Sequence, residues 1–195
     1  MEAAQRRAAT VEEYLALEES SDEKHEYFEG EIFAMSGGSF NHSQLPAQLA
    51  LLLGMQLRKR PCRVVTSDLR VRVEAVGLYT YPDLAVVCGE PRLSAGNTLD
   101  NPTLLVEVLS PSTEGYDRGK KFDMYRQLPS LQQYVLVSQD AMRVHVFTRQ
   151  ADGNWLFQGF QGADEVIPLG SIECSVVMGE LYEKVIWETA TSAAT

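Results

Sequence analysis

The chain has 195 residues, 45% hydrophobic and 23% charged, enough for one domain with a full core and too few for two comfortable ones. No apolar run could span a bilayer, and the charged N-terminus lacks the apolar stretch of a signal peptide, so a cytoplasmic protein is expected. A formal net charge of −10 argues against tight non-specific DNA binding. Yet the charges are segregated: acidic residues crowd between Glu12 and Glu31, and basic ones gather at Arg58-Lys59-Arg60, Arg70/Arg72 and Arg118/Lys120/Lys121. Cys62, Cys88 and Cys174 stand far apart with no CxxC pair, which points to buried thiols in strands, not to a disulfide framework or a zinc site.

Thr10 followed by Glu13 is a capping-box pattern and predicts a short helix over 10–20. Tyr27 to Met35 reads as a hairpin turning at Glu29-Gly30, and Ser36 to Ser39 as a loop. Ser43 is the expected cap of the next helix, with Pro46 in its first turn. Leu45, Leu49, Leu52, Leu53 and Leu57 then recur at helical spacing, until Arg58-Lys59-Arg60 and Pro61 end the helix. Leu69 to Val73 alternates, giving an apolar face and a basic face. Tyr81 to Cys88, Thr103 to Leu109 and Gln133 to Val137 are nearly continuous apolar runs, as expected of strands buried on both faces. Phe122, Tyr125 and Leu128 place a helix in Ser112 to Leu128, so strand, helix and strand form one crossover connection. Met142 to Thr148 and Trp155 to Phe160 are further strands around an Asp152-Gly153-Asn154 turn, and a short helix follows Met178. The expected fold is α+β over 1–189, a mixed central sheet flanked by helices, with a disordered tail at 190–195.

Glu107 is the anomaly of this pattern, since it interrupts the apolar strand Leu104 to Leu109. An ionised carboxylate removed from water costs several kcal/mol, roughly, unless a cation or donors compensate it. Asp83 poses the same question after Pro82, at the head of Leu84-Ala85-Val86-Val87. Alone, Asp83 could serve a turn and Glu107 could pair with a buried arginine. Together, on neighbouring strands, they could converge at one end of a sheet as hard oxygen ligands for Mg²⁺ in phosphoryl chemistry.

Pro82-Asp83 and Glu107-Val108-Leu109 resemble the signature of the PD-(D/E)XK nuclease superfamily. More closely, the chain resembles its Uma-type branch, described as restriction endonucleases. The matching stretches are Tyr27 to His42, Ser67-Asp68-Leu69, Tyr81 to Leu84 and Val106 to Thr113, continuing through Asp117, Lys121 and Tyr125 to Tyr134-Val135-Leu136-Val137. The superfamily lysine two residues after the glutamate is here Leu109. The resemblance implies that a lysine of the following helix replaces it. Lys121 fits best because it shares a helical face with Asp117 and Tyr125; Lys120 is the second choice. The plainer reading of Lys121 is a surface pair with Asp117.

The same resemblance implies a restriction-endonuclease-like fold and metal-dependent hydrolysis of DNA phosphodiester bonds. Asp83, Glu107 and the Val108 carbonyl would hold Mg²⁺ or Mn²⁺, and Lys121 would position or deprotonate the attacking water. His42 matches the family pattern as a further metal ligand or phosphate contact, although a histidine at a helix start also serves backbone hydrogen bonding. Glu31, ahead of Glu29 and Glu26, is the expected third carboxylate. Asp68 matches too but also suits a turn, and Gly37-Gly38 is no phosphate loop, since no Lys-Ser/Thr follows. Arg70, Arg72 and the Arg58–Arg60 cluster are the expected DNA contacts, and a homodimer is expected by analogy. The rival expectation is an inactive member of the fold that binds nucleic acid or a protein, favoured by the acidic balance and by Leu109.

Overall fold

The computed structural model describes residues 8–35 and 37–187, so the expected tail at 190–195 lies outside the described residues. Helix α1 (Val11–Ser20) starts at Thr10 with both halves of the capping box formed. Strands β1 (His25–Phe28) and β2 (Glu31–Ala34) make the predicted hairpin, with Glu29 and Gly30 both at positive φ. Glycine is required at the second position, because a Cβ on Gly30 would lie 2.5 Å from the Ala8 Cβ.

Helix α2 (Phe40–Leu57) begins earlier than predicted. Its cap is Ser39, whose Oγ accepts from the His42 N–H at 3.1 Å, and not Ser43. Pro46 therefore sits inside the helix and not in its first turn, at the cost of one backbone hydrogen bond. The end at Leu57 and the inward leucines are as predicted, with Leu45, Leu49, Leu53 and Leu57 buried.

The strands that follow are β3 (Cys62–Thr66), β4 (Arg70–Val73), β5 (Leu78–Thr80), β6 (Leu84–Cys88), β7 (Leu93–Ser94), β8 (Thr98–Leu99) and β9 (Leu104–Leu109). Helix α3 comes next, in three consecutive pieces: Glu114–Tyr116, a π-helical Asp117–Lys121, and Phe122–Tyr125. Strands β10 (Gln133–Ser138), β11 (Arg143–Arg149), β12 (Trp155–Gln161), β13 (Val166–Leu169) and β14 (Cys174–Val177) and the short helix α4 (Met178–Leu181) complete the described chain.

Two mixed six-stranded sheets result, of order β2-β1-β5-β4-β8-β7 and β12-β11-β10-β9-β6-β3, with β13-β14 as a separate ribbon. The central sheet contains the predicted crossover, since β9 and β10 pair in parallel on either side of α3. One of its faces packs on α2, the ribbon and α4 through Val106, Val108, Val135 and Val137. The opposite face packs on α3 and on the first sheet through Leu105, Leu109, Tyr134 and Leu136. The architecture is mixed α+β, but with two sheets where one central sheet was expected.

The predicted strand over 81–88 starts late, at Leu84, and a separate strand precedes it. β5 ends at Thr80 in one sheet and β6 begins at Leu84 in the other, so Tyr81-Pro82-Asp83 is the crossing between them. Proline cannot donate to a ladder, which suits a crossing better than a strand interior. The sequence pattern also missed β3, and with it a disulfide. β3 pairs with β6 in the register Cys62↔Cys88, which sets the two Cα atoms 4.0 Å apart, and the cysteines are bonded to each other, contrary to the expectation of free thiols. Cys174 is the buried free thiol that was expected.

Candidate active site

Strands β6 and β9 are antiparallel with Leu84 opposite Val106, so Asp83, one residue earlier, stands level with Glu107. Along β9 the side chains alternate: Val106 and Val108 enter the core under α2, while Leu105, Glu107 and Leu109 face α3 and the first sheet. That parity drives a carboxylate into a layer interface, where Glu107 is only 4% exposed. Its Oε1 accepts from the Tyr125 hydroxyl at 2.7 Å and from Lys121 Nζ at 2.9 Å. Asp83 Oδ2 accepts the Val108 N–H at 2.7 Å and lies 3.6 Å from His42 Nε2. The two carboxylates are thereby tied to one strand end.

Lys121 comes from α3 as its helical spacing predicted, and it is buried, not a surface residue: 6% exposed. Its Nζ also lies 3.2 Å from Glu26 Oε1 and 3.7 Å from Asp117 Oδ1. Asp117 and Lys121 bound the π-helical stretch, a wide turn that recurs at functional sites. Lys120 is exposed, with Nζ 4.5 Å from the centre of the Phe28 ring. A closed circuit forms around the lysine. Thr80 donates to Glu26, Lys121 bridges Glu26 and Glu107, and Tyr125, bonded to Glu107, brings its hydroxyl 3.5 Å from Thr80.

The charges here do not balance. The carboxylates of Glu26, Asp83, Glu107 and Asp117 gather around one lysine and one histidine. Burial pushes the Glu107 carboxyl up to about 8, with Lys121 pulling it back only in part. Burial raises Asp83 and Asp117 in the same way. Burial opposes the Lys121 charge, but Glu107, Glu26 and Asp117 outweigh it and hold the ammonium well above its ordinary range.

Glu26, His42, Asp83, Glu107, Val108, Asp117 and Lys121 line a cleft of about 200 Å³. His42 and Asp83 also line the adjoining cleft of about 520 Å³, with Lys24, Pro46 and Asp68. Of the residues singled out in the sequence, Asp83, Glu107, Val108, Lys121 and His42 thus share one cleft. Glu31 does not: it is exposed on β2, and Glu26 on β1 stands in the cleft instead. Hairpin parity could not separate the two, because Glu31 pairs with Phe28 and so shares a face with Glu26; their places along the hairpin differ. Asp68 pairs with Lys24 at 2.5 Å, on the surface.

The expected DNA-binding arginines are mostly occupied. Arg70 is buried, donating to Thr98, Tyr81 and Gly96 and lying 3.8 Å from Glu18. Arg72 is paired with Asp100 at 2.9 Å and Arg60 with Glu173 at 3.1 Å. The alternation in 69–73 showed which face was basic; it could not show that α1 and Tyr81 cover part of it.

A divalent cation fits the donor set in a specific way. Among the described residues no group of three or more His, Cys, Asp or Glu side chains is placed to hold a metal alone. Mg²⁺ does not require one: one or two carboxylates suffice, with water and substrate oxygens completing its shell. Asp83 and Glu107 are such a pair, and a positive charge beside them would favour their ionised forms against the burial that raises both pKa values.

Two proteins of Synechocystis sp., each described as uncharacterised, match the chain closely. One is 42% identical over 171 residues, covering 88% of this chain and 90% of its own length. The other is 36% identical over 160 residues, covering 81% and 90% respectively. Among solved structures, one described as a "putative nuclease belonging to DUF820" from Anabaena variabilis superposes with a TM-score of 0.71 at 18% identity, over 89% of this chain and 99% of that one. At that identity the likeness establishes a shared fold. The Uma2 family model, described as "Putative restriction endonuclease", matches residues 11–176. The chain belongs to the Uma2 family.

Proposed function

We propose that the protein is a Mg²⁺- or Mn²⁺-dependent endonuclease that hydrolyses DNA phosphodiester bonds in the cleft between Asp83, Glu107 and Lys121. The observation that carries this reading is the convergence of three residues, far apart in sequence, on one cleft. Asp83 and Glu107 would hold the cation, with the Val108 carbonyl as an additional donor, and the cation would supply charge neutralisation at the phosphate and activation of a water.

The chain's own groups do the rest. The Val108 N–H fixes Asp83 Oδ2, and the Tyr125 hydroxyl fixes Glu107 Oε1, so both ligands are held before substrate arrives. Lys121, kept charged by its carboxylate neighbours, acts as a donor to a phosphate oxygen or to the attacking water and not as a base. His42, at the first turn of α2, steadies Asp83 from the side of the larger cleft.

The test is cleavage of plasmid DNA with and without Mg²⁺ or Mn²⁺ by wild type, Asp83→Asn and Glu107→Gln, each checked for folding. Activity is expected in wild type only and only with metal. Equal cleavage by all three proteins sinks the assignment. A second reading, a binding protein without turnover, is favoured by the Lys121 contacts, which already occupy Glu107 Oε1. Calorimetric titration separates the two: no heat of Mg²⁺ binding at millimolar concentration would support it.

A further inference from the structure

Arg118, Arg143 and His145 meet around Glu114, and none of them takes part in the cleft chemistry above. Strands β9, β10 and β11 lie side by side with Glu107 opposite Leu136 and Leu136 opposite His145. Residues in one such row share a face, so His145 stands on the same side as Glu107, two strand spacings or about 10 Å away. Arg143, two residues earlier on β11, points to that face as well. From α3, Arg118, the neighbour of the cleft residue Asp117, reaches over to the cluster. Its Nε donates to Glu114 Oε1 at 2.7 Å and its Nη1 to His145 Nδ1 at 2.5 Å.

The hydrogen-bond roles follow from chemistry. A guanidinium only donates, so His145 Nδ1 is the acceptor and His145 carries its proton on Nε2. Burial and the two arginines keep the imidazole neutral by pushing its pKa down. The cluster therefore holds two permanent cations against one carboxylate. Arg143 is the less satisfied of the two: Glu114 Oε1 lies 4.0 Å from its Nη2, and its buried Nε has no hydrogen-bond partner. The Arg143 side chain is nonetheless 36% exposed, which leaves the guanidinium open to an anion with several oxygens. In a chain of net charge −10 whose Arg60, Arg70 and Arg72 are tied to carboxylates of the same chain, Arg118 and Arg143 keep a cationic surplus near the cleft.

We propose that Arg118 and Arg143 form a phosphate subsite for the nucleic-acid strand, holding a phosphodiester adjacent to the one placed between Asp83, Glu107 and Lys121. The identity of that ligand rests on the nuclease reading of the neighbouring cleft. The subsite explains how an acidic protein keeps a polyanion in register, with few contacts placed where they count and no broad basic face.

The test uses the full chain in chelator, with a fluorescein-labelled DNA duplex followed by anisotropy over a range of salt concentrations. The Arg118→Gln/Arg143→Gln double variant is expected to bind about tenfold more weakly, and its slope of log K against log salt should be shallower by about one, since the two arginines hold one phosphate and each phosphate contact contributes about 0.9. Arg126→Gln, which removes an exposed arginine paired with Asp123 on the far turn of α3, should bind like wild type. If the double variant melts low, Arg143→Gln alone serves, with a smaller slope change in the same direction. Unchanged binding in the arginine variants overturns the subsite, and so does an equal loss in Arg126→Gln. Should the duplex never be cleaved while the arginine variants still lose binding, the nuclease reading fails and the subsite stands.

Discussion

Glu107 stands at the centre of the candidate site, where an ionised side chain is least welcome. Its carboxyl, pushed by burial up to about 8, has a pH consequence with a definite sign. Below the ordinary glutamate value of about 4.3 both folded and unfolded chains are protonated, and the group is neutral for stability. Between there and about 8 the unfolded chain loses a proton that the folded chain retains, so stability falls as pH rises through that window. Above it the loss is complete and stays constant. Glu107→Gln is therefore expected to melt higher than wild type at pH 8 in chelator, with the gap closing as pH approaches 4.5, while cleavage is lost. Thermal melts at the two pH values measure it; a variant that melts lower at both refutes the account. Such a trade of stability for a usable charge is what a functional site produces.

At this scale the sequence was informative wherever a charge broke an apolar pattern. Asp83 and Glu107 stand out for that reason, and Lys121 because Asp117 and Tyr125 repeat at four-residue spacing. Glu26 did not stand out among the many glutamates of 12–31, since it shares a hairpin face with Glu31 and only its place along that face brings it to the cleft. Arg70 misled, because a strand's alternation reveals its faces but not what covers them.

Elements position these residues to within the reach of a hydrogen bond, and α2 shows how little tolerance is left. A Cβ on Gly38 would fall 2.7 Å from both Cγ and Nδ1 of His42, so the glycine exists to let that ring lie back toward Asp83. Gly38→Ala should fold with a stability change within about 1 kcal/mol, because a side chain can yield. It should nevertheless cut turnover by turning His42 away. Comparing its cleavage rate and melting point with those of His42→Ala tests this: a fully active Gly38→Ala would show that the contact does not orient the ring. Helices were legible through their caps and periodicity, as α1 and α3 show. The cap of α2 was misplaced because proline favours a first turn, whereas here Pro46 lies deeper and Ser39 takes the cap. β7 and β8 are two residues each and cannot display a period, and β3, β13 and β14 show no strict alternation of polar and apolar residues, so their partners, and the Cys62–Cys88 bond with them, emerge only from the tertiary arrangement.

For the molecule as a whole, that bond closes a 26-residue separation enclosing β4, β5 and the Tyr81-Pro82-Asp83 crossing. By loop-closure entropy it contributes roughly 3.5 kcal/mol. Cys62→Ser/Cys88→Ser is expected to lower the denaturation midpoint accordingly and to leave cleavage intact below it, measured by urea titration with parallel activity assays. No change in midpoint would mean that the strand pairing alone holds the loop. The overall α+β class was legible because the crossover signature and the apolar central strands are local features. The division into two sheets was not, because the run over 81–88 does not show that its first three residues cross between them.

The circuit of Thr80, Glu26, Lys121, Glu107 and Tyr125 joins the first sheet to the central one through α3. Whatever changes the charge between Glu107 and Glu26 therefore also changes how firmly the two sheets are latched. Occupancy of the cleft should be audible at a distance, as slowed amide exchange along β1 and β5, strands that hold no metal ligand of their own. The protein then carries a built-in reporter: protection at Tyr27 and Tyr79, paired across the two strands that supply Glu26 and Thr80 to the circuit, tracks the filling of the cleft.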